Sequence, residues 1–394
     1  MLGAGVFVVW GPALRAAGPH IVVSVAIAGV VAAVNAVSSA QLAARYPEAG
    51  GAYAYGRAEI GTGTGFVAGV AFVAGKTASV AAVSLAVGHY VWGAHPEVVA
   101  TAAIVASWAL NARGVTRTAA VATAIGGAVL LGLGGLMVAV LRAGTADGPP
   151  VPTIGAEQGT RLGVLSAAAL VFFAFAGYAR IATLGEDVRE PTRTIPRAIV
   201  LALVAVGALY VLIAVAFRVT RSESLRGTSE LPLRDLAGSV GGGTAIVGVL
   251  APVAAFGALV ALTAGIGRTA MAMARHGDLP RALGRLDKAG VPSVAEGVSA
   301  VAAVGISWRG DLTFALAMSA CAVLVYYAIA NVAAFRQARG RRTVSMRVPP
   351  AVSAVGAASC LALAATLPLV AVVAAGVCLG LALIARALVR RTVD

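Results

Sequence analysis

The sequence predicts an all-α protein that crosses a lipid bilayer many times. Hydrophobic residues make up 59% of the chain and charged residues only 12%, whereas soluble proteins carry about 25% charged residues. The mean hydropathy is +0.91, and no polar stretch exceeds about 30 residues. This composition leaves no room for a soluble domain, so apolar runs of roughly 20 residues are interpreted as membrane-spanning helices.

Eleven apolar runs qualify as predicted spans, and a twelfth at the N-terminus, residues 3–15, is only about half as long. Short segments with arginine, glycine or proline separate most runs, although the last two meet at Leu367–Pro368 without a charge. In chain order the predicted spans are 20–44, 65–92, 97–112, 117–142, 162–185, 195–218, 244–274, 292–308, 311–336, 349–367 and 368–389.

Basic residues predict how the chain is oriented. Nineteen of the 30 Lys and Arg residues fall in segments that are cytoplasmic if residues 3–15 run outward, and eight fall on the opposite side. Cytoplasmic loops carry the excess of positive charge, so this orientation is favoured over its inverse. The net charge of +14 then reflects topology in a cell membrane, and we expect no nucleic-acid partner.

Two glycine-containing breaks fall at membrane depth. One is Gly3-Ala4-Gly5, and the other is Gly177, which follows an aromatic run in the predicted span 162–185. Irregular backbone inside a bilayer is tolerated only against protein or water, and paired breaks in oppositely oriented units indicate a transporter site. Ordinary small-residue packing is the alternative, because this chain also carries pairs such as Gly65/Gly69.

Four stretches resemble motifs of the amino acid–polyamine–organocation superfamily of permeases. They occur in the order and at the topological positions expected for that family. The stretches are GAGVFVVWGPALRAAGP from residue 3, YPEAGGAYAYGRAEIG at 46–61, FFAFAGYARIATLGEDVREPTRTIPRAI at 172–199, and GIGRTAMAMARHGDLPRAL at 265–283.

The resemblance implies a leucine-transporter-like fold, in which two inverted five-helix repeats are followed by two further helices. Residues 1–394 would form one permease domain, with repeats at 1–142 and 162–336 and the extra helices at 349–389. In such permeases the first break divides the first helix into halves. We expect either an inner half encoded upstream of Met1 or a truncated remnant. In the full-length protein both termini are expected to be cytoplasmic.

The breaks supply the predicted substrate site. A helix start offers unpaired N–H groups with an effective charge of about +0.5, which suits a carboxylate, and carbonyls at the second break suit an α-amino group. By resemblance, Phe173 would be an aromatic lid over the substrate, and plain packing is the alternative. The predicted substrate-binding residues are Gly3, Ala4, Gly5, Val6, Phe173, Ala174, Phe175, Ala176 and Gly177.

Charged residues inside the spans suggest coupling and gating. Lys76 lies eleven residues after Gly65, about 16 Å along a helix, where an ionisable residue is costly and functional by default. It is a candidate proton carrier or a fixed ammonium that replaces sodium, and a snorkelling lysine is the alternative. A cytoplasmic ion-pair gate, or simple anchoring at the lipid boundary, is expected from Arg180, Glu186, Asp187 and Arg268.

These features predict a secondary transporter that moves an amino acid or related amine by alternating access, with protons as the candidate coupling ion. The alternatives are an exchanger without ion coupling and a transport-inactive remnant or sensor. A membrane hydrolase is disfavoured because HExxH, GxSxG and paired intramembrane carboxylates do not occur. We therefore expect no enzyme activity, cofactor or metal. A neutral substrate is preferred, and the sequence leaves the oligomeric state open.

Overall fold

The computed structural model describes residues 3–46, 50–114, 119–144, 160–178, 191–220, 229–339 and 348–391. All regular structure within these ranges is helical. The α-helices are α1 Gly5–Val8, α2 Trp10–Ala17, α3 Ile21–Ala43, α4 Ala52–Glu59, α5 Thr62–Val91, α6 Pro96–Ala112, α7 Ala119–Ala143, α8 Arg161–Phe175, α9 Pro191–Val219, α10 Pro232–Ala237, α11 Gly243–Arg275, α12 Ser293–Arg309, α13 Leu312–Arg339, α14 Pro350–Ala365 and α15 Leu369–Arg391.

Long apolar helices confirm the predicted all-α polytopic membrane fold. By length and composition, the described residues contain seven helical segments able to cross a bilayer, including Thr62–Val91, Gly243–Arg275 and Leu312–Arg339. One of them, Trp10–Ala43, has 34 residues and would measure about 51 Å as one helix, so a turn is needed. That turn begins at Gly18, whose φ of 50° is costly for a residue with a side chain.

The helix α5 runs through the middle of the bundle, and small residues let its neighbours approach closely. Gly69 lies against Met273 of α11, and Gly75 lies against Ala322 of α13. In contrast, the last helix exposes valines and leucines along most of its length. This contrast is typical of helices in lipid, where close backbone contact replaces the hydrophobic effect between helices and apolar side chains face the bilayer.

Buried polar side chains link α3, α13 and α14. The Asn331 amide donates to Asn35 Oδ1 at 2.6 Å, and the Asn35 amide in turn lies 3.1 Å from the sulfur of Cys360. One helical turn away on α3, the hydroxyls of Ser38 and Ser353 lie 3.1 Å apart. Polar groups in an apolar bundle are satisfied across helices in this way, which fixes α14 against α3 and α13.

Two of the segments between spans contain short helices that the sequence did not lead us to expect. Helix α4 lies between α3 and α5, and α10 precedes α11. The predicted span 162–185 also differs from the structure, since α8 ends at Phe175 and a 3₁₀ turn covers Ala176–Tyr178. The end of α8 defined in this way lies against the start of α1.

Candidate functional site

The first break is the start of α1 at Gly5. Ala4 precedes the helix, and the N–H of Phe7 donates to its carbonyl at 2.9 Å. The first N–H groups of a helix have no acceptor within the helix, so those of Gly5 and Val6 are the available donors. Ala4 and Val6 are buried, and the indole N–H of Trp10 donates to the Val6 carbonyl at 2.7 Å.

The second break is the end of α8. The N–H of Ala176 donates to the carbonyls of Phe172 and Phe173, which tightens the chain into the 3₁₀ turn that contains Gly177. Carbonyls at the end of a helix carry an effective charge of about −0.5. The residues from Phe173 to Gly177 therefore include the last carbonyls of α8, and substrate binding by them stays a prediction.

Two tyrosine hydroxyls from other helices bind these carbonyls. Tyr210 of α9 donates to the Ala174 carbonyl at 3.2 Å, and Tyr327 of α13 donates to the Ala176 carbonyl at 3.3 Å. A carbonyl oxygen has two lone pairs, so each retains capacity for a further donor. These hydroxyls hold the end of α8 in position without using all of its hydrogen-bonding capacity.

The start of α1 contacts the end of α8 directly. A Cβ built on Gly5 would lie 2.7 Å from Cα of Ala174, and one built on Gly3 would lie 3.1 Å from Cβ of Ala258 in α11. No side chain fits at Gly5 without moving backbone, which explains the glycine there. The N-terminus of one helix and the C-terminus of another thus meet beside α11, and the residues that contact the two glycines, Ala174 and Ala258, are small and uncharged.

The aromatic residues of α8 divide into packing and candidate lining residues. Phe172 is buried against the ring of Tyr327, and Phe175 is buried against Tyr210 and close to Gly29 of α3. Because the ring of Phe175 packs in the core, only its backbone carbonyl is available for the substrate binding that the sequence predicts. Phe173 is only half-buried, so the ring predicted to be a lid is the one that the core leaves partly uncovered.

Lys76 lies near the middle of α5 and is half-buried. The preceding residue, Gly75, is level with Ala322 of α13, and Tyr327 lies five residues further along α13, about 7.5 Å away. Gly69 contacts α11. Lys76 lies seven residues later, which is about two helical turns, so Lys76 and Gly69 lie on the same side of α5. Lys76 therefore lies on the side of α5 that faces α11.

The predicted gate is described only in part. Arg180, Glu186 and Asp187 lie outside the described residues, and the side chain of Arg268 is exposed. The structure instead shows an ion cluster around Asp278, just beyond α11. Its carboxylate binds Arg57 of α4 at 2.7 Å and Arg386 of α15 at 2.7 Å.

Tyr53 completes this Asp278 cluster. Its hydroxyl donates to Asp278 at 2.9 Å, and burial, reinforced by that carboxylate, raises the pKa of Tyr53 above its usual range. The guanidinium of Arg386 also lies over the ring of Phe66 and donates to the Thr62 carbonyl at 3.1 Å. The cluster therefore ties α4, α5, α11 and α15 together at one end of the bundle.

Sequence reasoning missed the roles of Tyr210, Tyr327 and Asp278. A signal existed for the tyrosines, because a hydroxyl inside an apolar span needs a hydrogen-bond partner. Asp278 lies in a stretch that resembles the permease family, but its partners are distant in sequence. Its arginine contacts depend on the packing of α4 and α15, which local patterns do not specify.

Comparison with known proteins gives a family match and several relatives. The family model described as amino acid permease matches residues 1–385. An uncharacterised transporter of Mycobacterium tuberculosis (strain ATCC 25618 / H37Rv) is 44% identical over 388 residues, which are 96% of this chain and 86% of the relative. One from Mycobacterium bovis has the same identity and coverage. A cationic amino acid transporter of Arabidopsis thaliana is 30% identical over 243 residues, 55% of this chain and 41% of the relative.

Proposed function

Because the chain belongs to the amino acid permease family of multi-pass membrane transporters, we propose that it carries an amino acid across the cell membrane by alternating access. The observation that supports this proposal most directly is the meeting of two helix ends at Gly5 and Ala174. Such ends offer opposite partial charges without a charged side chain. A zwitterion carries matching charges one carbon apart.

The two breaks would bind opposite ends of the substrate. N–H groups of Gly3, Ala4, Gly5 and Val6 would donate to its carboxylate, as helix starts do for anions. Carbonyls between Phe173 and Gly177 would accept from its ammonium, and the half-buried ring of Phe173 would cover it. Discontinuous helices bind transported zwitterions in this manner at the middle of a bilayer.

The surroundings of the breaks favour a small or neutral side chain. Ala174 and Ala258, which contact the start of α1, are uncharged and small, and a cationic side chain would need a carboxylate beside it. Two Arabidopsis thaliana relatives are named cationic amino acid transporters, so arginine and lysine form the second candidate substrate class. An amine without a carboxylate would leave the N–H groups of α1 unpaired.

The architecture proposed for this activity is an inverted repeat. Residues 1–142 and 162–336 would form the two five-helix units, and residues 349–389 would add two helices. The Asp278 cluster would then lie on the cytoplasmic side, together with the proposed gate residues Arg180, Glu186, Asp187 and Arg268. Opening that side requires α4 and α11 to separate, and the ion pair between Arg57 and Asp278 resists this movement.

Proton coupling through Lys76 is the proposed energy source, with exchange as the alternative. Burial disfavours a charged ammonium, and the spacing from Gly69 places Lys76 on the side of α5 that faces α11, the helix that also contacts the first break through Ala258. Lys76→Met should abolish uptake driven by a pH gradient if the lysine carries the proton. It should leave exchange between preloaded and external substrate in place.

Uptake by purified protein in liposomes tests the proposed function. A radiolabelled panel of neutral, cationic and acidic amino acids identifies the substrate, with protein-free liposomes as the control. Competition by its decarboxylated amine, which lacks the carboxylate, and by its N-acetyl derivative, which lacks the ammonium, then tests the two helix ends separately. Each should bind about 10- to 100-fold more weakly, since a charge-assisted hydrogen bond contributes about 1.5–3 kcal/mol. An amine that competes as well as the amino acid would contradict carboxylate binding at α1.

A further inference from the structure

Glu296 of α12 carries a carboxyl group inside the bundle that the proposed substrate site does not use. The residue is 1% exposed, and a Cβ built on the neighbouring Gly267 of α11 would lie 2.7 Å from its Cγ. The glycine therefore leaves the space that this side chain fills. Within the described ranges, Oε2 is buried and accepts no hydrogen bond.

Few groups compensate a charge on this carboxyl. The amide of Asn111 faces it from α6, and the same amide donates to the Val260 carbonyl at 3.1 Å. Arg268 of α11 attracts a carboxylate at Glu296, whereas Asp287 in the preceding loop repels it. Arg268 is exposed, and the ion pairs found in the described part of the chain do not include Glu296.

The balance of these effects favours the neutral acid. Burying a carboxylate without a counter-ion is strongly unfavourable, and the start of α12, where Glu296 lies in the first turn, offsets only part of that cost. Asp287 remains a source of negative charge, because the backbone N–H of Val291 lowers the pKa of its carboxyl. The nearest charged residue on α6, Arg113, is exposed beyond the helix.

We propose that Glu296 is a proton-binding site and that its proton stabilises the packed arrangement of α6, α11 and α12. The proton comes from the aqueous phase when these helices close, and it returns when they separate and admit water to the carboxylate. Its link to transport rests on the proposed function. Helix α11 also carries Ala258, nine residues from Gly267 or about 13 Å, which contacts Gly3 at the first break.

Infrared difference spectroscopy of the full-length protein in lipid nanodiscs tests the proton directly and needs no substrate. Between acidic and alkaline pH, the wild-type protein should show a carbonyl stretching band from a buried protonated carboxyl. Glu296→Gln should abolish this band, because its amide has the same shape and no titrating proton. Glu97→Gln, which removes a more exposed carboxylate at the other end of α6, should retain it. A band that persists in Glu296→Gln overturns the proposal.

The pH dependence of uptake tests the link to α11. Once the Glu296 carboxyl ionises, wild-type uptake should fall by about tenfold per pH unit more steeply than uptake by Glu296→Gln, which keeps only the pH dependence of its other groups. Equal pH slopes in both proteins would overturn that link. Loss of the band in Glu296→Gln without uptake of any amino acid by the wild type would instead refute the proposed function and leave the proton site in place.

A second variant keeps the test informative if Glu296→Gln does not fold. Arg268→Gln removes the cation that favours the carboxylate and leaves Glu296 itself intact. The protonated form should therefore persist to higher pH, so the midpoint of the infrared titration should move upward. An unchanged or lower midpoint would contradict the placement of the proton on Glu296.

Discussion

The helix break at Gly5 and Ala174 and the cluster around Asp278 both join distant parts of the chain, but they use opposite chemistry. At the break the residues in closest contact are small and uncharged, and two tyrosine hydroxyls bind backbone carbonyls there. The Asp278 cluster contains full charges, with two arginines and a tyrosine on one buried carboxylate. Each arrangement suits a different task.

Backbone dipoles suit a place where a ligand must bind and leave. They carry about half a charge each and need no counter-ion when the ligand departs. Full charges suit a place where elements must stay together, because separating a buried ion pair is costly. The contrast therefore supports the proposal that a ligand is exchanged at the break, whereas the Asp278 cluster joins four helices at one end of the bundle.

The largest expected effect comes from breaking the charged region. Asp278→Asn keeps the size of the side chain but leaves Arg57 and the buried Arg386 without their carboxylate. The free energy of unfolding should fall by about 3–5 kcal/mol, as when one partner of a buried pair is removed. Denaturant unfolding in detergent measures this change.

The matched control removes a carboxylate from a more exposed pair. Glu97 lies 3.7 Å from His95, and Glu97→Gln should cost no more than about 1 kcal/mol. Equal losses in Asp278→Asn and Glu97→Gln would show that the cluster adds little to stability, and the contrast between the two regions would fail.

The second effect comes from filling the uncharged region. Gly5→Ala places a methyl group against the backbone of Ala174, and overpacking of this kind costs about 1–3 kcal/mol. If the substrate binds where the two helix ends meet, uptake should fall by about tenfold to hundredfold, because 1.4 kcal/mol corresponds to tenfold. Gly134→Ala in α7 is the control, since its new Cβ would meet no atom within 4 Å among the described residues.

The outcome at Gly5 separates packing from transport. Folded and thermally stable Gly5→Ala protein with normal uptake would contradict the proposed position of the site. Normal uptake is expected for Gly134→Ala, and loss of uptake there would mean that membrane helices of this protein tolerate no added methyl group.

Much of the helix layout could be predicted from the sequence, because hydropathy and charge act locally. The predicted spans 244–274 and 311–336 correspond to Gly243–Arg275 and Leu312–Arg339. The break after Phe175 was predicted from Gly177, two residues beyond the actual end of α8. The contacts of Tyr210 and Asp278 could not be predicted, because each depends on which helices lie side by side.

The smallest effect tests whether the hydroxyls around the break contribute to stability. Tyr210→Phe removes the hydrogen bond to the Ala174 carbonyl, which should reduce stability by about 1 kcal/mol and weaken substrate binding, because the end of α8 is less well held. Tyr90→Phe is the matched control. Its hydroxyl is buried and, within the residues described, has no hydrogen-bond partner.

The two variants therefore compare the loss of a hydrogen-bonded hydroxyl, that of Tyr210, with the loss of a hydroxyl that has no hydrogen-bond partner among the described residues, that of Tyr90. Removal of the Tyr90 hydroxyl should leave stability unchanged or increase it, because a buried unpaired hydroxyl is unfavourable. Thermal unfolding of both variants, with and without substrate, measures the difference. If Tyr210→Phe behaves like Tyr90→Phe in both measurements, the Tyr210 hydroxyl does not help to hold the end of α8, which packing and the Tyr327 hydroxyl hold instead. The Ala174 carbonyl would then need no hydroxyl donor of its own to keep it in place beside Gly5.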